Sequence, residues 1–135
     1  MTYEEKQLLL KDLSARIPYE VKVRHSKIIQ DLTIALFLDF VCLDTKIKPY
    51  LRPMSSMTEK ELNSLKQCVG LIYGYPNDLE LLRCDSGYTV LEFWLEEIPH
   101  YVVDGVFDWL NEHHFDYRGL IEKGLALEAP NGMYN

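Results

Sequence analysis

His113, His114 and Asp116 form an H-H-x-D cluster inside the stretch 109–127, WLNEHHFDYRGLIEKGLAL. It is the one place where side chains of catalytic type, a glycine-bounded loop and large aromatics coincide. Two imidazoles and a carboxylate at this spacing could ligate a divalent metal or work as an acid–base pair. Adjacent histidines at a helix end point in different directions, so such a centre would need further donors. Asp108, Glu112 and His100 are the available ones. A structural account competes and is preferred. A histidine at a helix C-terminus satisfies free carbonyls and suits the helix dipole, and an aspartate such as Asp116 closes a turn through its own side chain. On that account no metal and no cofactor is expected.

Two further constellations carry charge. His100, Asp104, Asp108 and Glu112 recur every four residues, which lays an acidic stripe along one side of a helix. Paired carboxylates do glycosidase or metal chemistry only when they converge across a cleft; along one helix face they diverge into water. Arg52 and Arg118 each lie in a Pro- or Gly-bounded segment beside a tyrosine, Tyr50 and Tyr117. A guanidinium held there can bond loop carbonyls or pair with an acid, ordering a segment that has no ladder of its own. Gripping a carboxylate or phosphate ligand is the alternative use. No nucleophile elbow surrounds Ser55 or Ser56, and no glycine pattern fits a P-loop or a dinucleotide turn.

The elements that must position these residues are read from caps and periodicity. Thr2 and Glu5 form a capping-box pair ahead of Leu10, Leu13 and Ile17, predicting a helix over 3–16 that Pro18 stops. Tyr19, Val21 and Val23 alternate with charged residues, the pattern of a half-buried strand. The segment 32–38, LTIALFL, is apolar on both parities and reads as a strand covered on both faces, with a buried helix as the alternative. Residues 45–51 read as an edge strand or strand end because Pro49 cannot donate to a ladder. Thr58 and Glu61 form a second capping box, with Met57 and Leu62 as its hydrophobic staple, and a helix ending at Gly74. Two strands, 79–84 and 88–95, flank an Asp85–Ser86–Gly87 turn, although 90–97 also fits a helix. A last helix over 100–113 is followed by turns at 115–123, a short strand at 125–128 and a loose tail at 130–135.

At 135 residues, 47% of them hydrophobic, the chain has the length and material for one domain with a core. Three cysteines without a CxxC pair, and a polar N-terminus in place of a signal peptide, suggest buried reduced thiols in the cytoplasm. The net charge of −7 is uneven: residues 1–67 hold 11 Lys/Arg against 9 Asp/Glu, residues 68–135 hold 3 against 12. An acidic chain repels phosphate backbones, so direct nucleic-acid binding is not expected. The longest apolar run falls short of the roughly 20 residues a membrane helix needs, so no membrane partner is expected either.

Two blocks, IKPYLRPMSSMTEKE at 47–61 and WLNEHHFDYRGLIEKGLALEA at 109–129, resemble a family of short uncharacterised proteins from gut Bacteroidales bacteria and their phages and prophages. The resemblance brings no activity, cofactor or catalytic residue. It implies a bacterial or phage cytoplasm and a mobile-element context.

The expected fold is α+β, a single domain with a small antiparallel sheet packed with about three helices. The expected function is a non-catalytic protein-binding or regulatory module whose partner is another protein, a basic one suiting the acidic C-terminal half. The alternative is a small metal-dependent hydrolase built on His113, His114 and Asp116.

Overall fold

Thr2 starts the first helix in the way its spacing from Glu5 predicts. The Glu5 amide donates to the Thr2 hydroxyl at 3.1 Å, and the Thr2 amide donates to the Glu5 carboxylate at 3.0 Å. Helix α1 (Tyr3–Arg16) follows, and Pro18 converts its end into a 3₁₀ turn over Ile17–Tyr19. The computed structural model describes residues 1–73 and 100–134. The turn at 75–78, the strands at 79–84 and 88–95, the Asp85–Ser86–Gly87 turn, the helical alternative at 90–97 and the Gly74 stop all lie outside the described residues. The chain divides into two compact units, Met1–Leu51 with Arg118–Asn135, and Arg52–Tyr117.

The first unit is built on a four-stranded sheet in the order β2-β1-β3-β4, with β1 (Lys22–His25), β2 (Ile28–Asp31), β3 (Ile47–Leu51) and β4 (Leu127–Glu128). β1 and β2 form a hairpin across Ser26 and Lys27. Ser26 has φ of 60° and Lys27 does not, which is the pattern of a type II′ turn. β1 also pairs antiparallel with β3, whereas β3 and β4 are parallel, so the expected small antiparallel sheet is mostly antiparallel with one parallel pair.

β3 is interior where an edge strand or a strand end was expected, and the register shows how Pro49 is accommodated. The Tyr134 hydroxyl accepts the Lys22 amide at 2.9 Å and donates to the Tyr50 carbonyl at 2.6 Å. The peptide groups of Lys22 and Tyr50 therefore face one another, and by alternation Pro49 turns its nitrogen away from β1. On that other side, pairing with β4 begins only at Tyr50 opposite Leu127. The missing donor thus falls where no rung is required. The tail expected to be loose supplies this bridge, and burial pushes the Tyr134 phenol up to about 12.

The segment read as a two-sided strand is a helix. In α2 (Ile34–Leu43) Thr33 is the N-cap, its hydroxyl accepting the Leu36 amide at 3.1 Å. Leu36 and Phe40, one turn apart, enter a core with Leu9, Leu13, Val21, Val23, Leu32, Ile47, Leu51, Leu120, Leu125 and Ala126. Apolar residues occupy the other side of α2 as well, but that side is uncovered. Ile34, Leu38 and Val41 are 66%, 52% and 39% exposed. Cys42 is exposed too, contrary to the buried thiol expected; Cys68 and Cys84 have no described side chain.

The second unit packs α3 (Glu59–Tyr73) with α4 (His100–Glu112). Its core is Met54, Met57, Leu62, Leu65, Val106, Trp109, Leu110, Phe115 and Tyr117, so both staple residues are buried as their spacing predicts. Among the described residues no helix is long and apolar enough to cross a membrane. The fold is α+β.

Candidate functional site

The loop after α4 is shaped by how the helix ends. His114 takes the left-handed conformation (φ 65°), its amide donates to Asn111 at 3.1 Å, and the Phe115 amide donates to Leu110 at 2.9 Å. These two bonds form a Schellman cap with histidine in the position that usually holds glycine, and Phe115 packs in the same core as Leu110. A non-glycine residue there costs on the order of 1–2 kcal/mol. His113 meets the expected structural role: its Nδ1 lies 2.9 Å from the Trp109 carbonyl, and its ring stacks on Trp109 with centroids 4.0 Å apart.

Beyond the cap, a backbone rung and side chains together tie the segment down. The Arg52 amide donates to the His114 carbonyl and the Asp116 amide to the Arg52 carbonyl, both at 2.8 Å, which makes one parallel rung at Phe115. The segment expected to lack a ladder therefore has a short one. Tyr117 is buried, its hydroxyl donating to Asn111 Oδ1 at 2.9 Å and its ring stacking on Phe107. His114 and Asp116 are buried in this wrapping. Among the described residues no group of three or more His, Cys, Asp or Glu side chains is arranged to hold a metal ion.

Arg52 is held in place from three sides. Its two Nη atoms fork onto Glu61 at 2.6 and 2.7 Å, Nη2 also reaches the Ser56 carbonyl at 3.3 Å, and the guanidinium lies 4.2 Å from the Phe115 ring centroid. Glu61 is at the same time the capping-box acid of α3, accepting the Thr58 amide at 3.0 Å. The Arg52 hydrogen bonds, with a smaller contribution from Thr58, hold the Glu61 carboxyl down at about 2 against a cost of burial. Sequence reading found the Thr58–Glu61 cap and flagged Arg52, but a nine-residue separation gave no sign that they share one carboxylate.

Arg118 is engaged in the other unit. Its Nη1 lies 2.8 Å from Asp12 Oδ1, while Arg16 Nε lies 2.8 Å from Asp12 Oδ2. Asp12 and Arg16 are fully buried, a pairing the sequence signalled only as a four-residue spacing on α1. An acid shared by two guanidiniums is costly to break, since losing one partner of a buried pair leaves an uncompensated charge worth about 3–5 kcal/mol.

The remaining acidic candidates are not gathered. Asp108 and Glu112 are exposed on α4, as expected for a solvated face; Asp104 lies in α4 but its side chain is outside the described residues. What sequence reading did not single out is the open side of α2. Ile34, Leu38 and Val41 follow one another at helical spacing, and Ile28 and Ile29 on the edge strand β2 are 61% and 51% exposed. Single apolar side chains scattered on a surface are ordinary, whereas three along one side of a helix form a stripe. Comparison with known proteins finds no matching family model, curated protein or solved structure.

Proposed function

We propose that the protein is a non-catalytic binding module that docks another protein on the open side of α2. The observation that carries this reading is the uncovered stripe Ile34, Leu38 and Val41. The side chains of catalytic type support it from the other direction. His113, Arg52 and Arg118 are engaged by Trp109, Glu61 and Asp12. The stripe also states what its occupant is. Residues 28–45 contain three aspartates (Asp31, Asp39 and Asp44) and no Lys, Arg or His. Asp39 is exposed and in no ion pair among the described residues. Asp31 and Asp44 are paired with Lys22 and Lys6, which leaves Asp39 as the free carboxylate on α2. An apolar stripe with that charge on its helix fits an amphipathic helix with Leu- or Ile-type anchors and a Lys/Arg flank. The resemblance of the 47–61 and 109–129 blocks points to a bacterial or phage cytoplasm as the setting.

A labelled amphipathic Leu/Lys helical peptide serves as the probe. Fluorescence anisotropy is expected to give saturable binding that Leu38→Ser weakens about 10- to 100-fold, because one buried leucine contributes roughly 1.5–3 kcal/mol. Equal affinity for wild type and Leu38→Ser contradicts the reading. So does a light-scattering mass that doubles for the wild type and returns to monomer in Leu38→Ser, which makes the occupant a second copy of this chain.

A further inference from the structure

A different surface of the first unit carries a second site. Arg24 on β1 and Lys48 on β3 stand directly opposite one another in the antiparallel register. Lys46, two residues before Lys48, and Ser26, in the β1–β2 turn, complete the rim of a hollow of about 300 Å³, and Leu127 of β4 closes it. Val23 on one side of β1 and Ile47 on β3 are buried, so Arg24 and Lys48 lie on the solvent face of the sheet, as their exposure shows. β1, β3 and the residue that precedes β3 thus bring three cations to the rim of one concavity.

Their pairing sets them apart from their neighbours. Lys22 on the same strand is neutralised by Asp31 at 2.6 Å, and Lys6 is paired with Asp44. Arg24, Lys46 and Lys48 are in no ion pair among the described residues. Like charges directly across a ladder are destabilising, and a chain of net charge −7 has carboxylates enough to neutralise them. The geometry points to a binding site for a small phosphate-bearing anion, held by Arg24, Lys46 and Lys48 with the Ser26 hydroxyl as a further donor. Guanidinium and ammonium groups beside a hydroxyl suit phosphate oxygens, and a hollow of about 300 Å³ is at the small end of ligand sites. The acidic remainder of the molecule repels a long polyanion but not a compact one. The inference is independent of the α2 docking surface.

Sodium pyrophosphate is the probe, titrated into ¹⁵N-labelled full-length protein at ionic strength held constant with sodium chloride. Saturable shifts are expected at the amides of Arg24, Ser26, Lys46 and Lys48. The double variant Arg24→Ala with Lys48→Ala is expected to raise the Kd at least tenfold while its melting temperature stays within about 2 °C or rises, since a repulsion is removed at the surface. Leu38→Ser is expected to bind pyrophosphate as the wild type does. Linear, non-saturating shifts overturn the site, as do shifts that the double variant retains. A single-stranded oligonucleotide that displaces pyrophosphate at lower concentration also overturns it, because the ligand is then a nucleic acid.

Discussion

Glu61 shows how a single carboxylate can serve a helix and a neighbouring arginine together. It accepts the Thr58 amide that opens α3 and forks with Arg52, whose guanidinium covers Phe115. Its carboxyl sits at about 2 in the folded protein against 4.5 unperturbed, so the folded state favours the ionised form. The stabilisation is therefore present above pH of about 5 and is lost as pH falls from about 4.5 towards about 2. Allowing for partial exposure it amounts to about 1–2 kcal/mol. Glu61→Gln keeps an acceptor for the cap but not the charged fork. It is expected to lower stability at pH 7 by about 1–2 kcal/mol and to flatten the acid limb of a denaturation-against-pH curve over that window. An acid limb identical to wild type would remove Arg52 and Glu61 from the account. The Thr58–Glu61 spacing was legible in the sequence because capping is local. The Arg52–Glu61 and Asp12–Arg118 pairings were not, because tertiary folding decides which charges meet.

Among the elements, α1, the start of α3, α4 and the β4 strand follow from caps, staples and apolar spacing. α2 was misread for a definite reason. A strand buried on both faces and a helix buried on one and open on the other both read as uninterrupted apolar sequence. Thr33 was the local clue, since its hydroxyl caps the Leu36 amide. β3 was misplaced because Pro49 argues against an interior strand unless its missing donor falls where no rung is required, as it does here; the Tyr134 hydroxyl bridges the neighbouring Lys22–Tyr50 rung. Tyr134→Phe keeps the ring and removes the bridge, leaving the Lys22 amide and the Tyr50 carbonyl facing each other without it. A loss of about 1–3 kcal/mol in chemical denaturation is expected, with faster hydrogen exchange at the Lys22 amide. Alkaline titration should show the complement: stability present below pH of about 10 and lost as pH rises towards about 12 in the wild type only. Unchanged exchange at Lys22 would mean that the strands close without the tail.

For the molecule as a whole, the side chains of catalytic type around the end of α4 and the apolar side chains left uncovered on α2 are different sets. Sequence reading fixed on His113, His114, Asp116, Tyr117, Arg52 and Arg118, because those types at those spacings can do chemistry. Apolar surface on α2 gave no comparable signal, since a leucine exposed for a partner and a leucine buried in a core are the same letter. The division is tested most directly by measuring thermal stability and peptide affinity side by side in two variants. His113→Ala removes the bond to Trp109 and the ring stack, so it is expected to melt about 5 °C lower and to bind the Leu/Lys peptide as the wild type does. Leu38→Ser changes an exposed position, so its melting temperature is expected to hold within about 2 °C while its affinity falls at least tenfold. The reverse pattern, with binding lost in His113→Ala and retained in Leu38→Ser, would contradict the account.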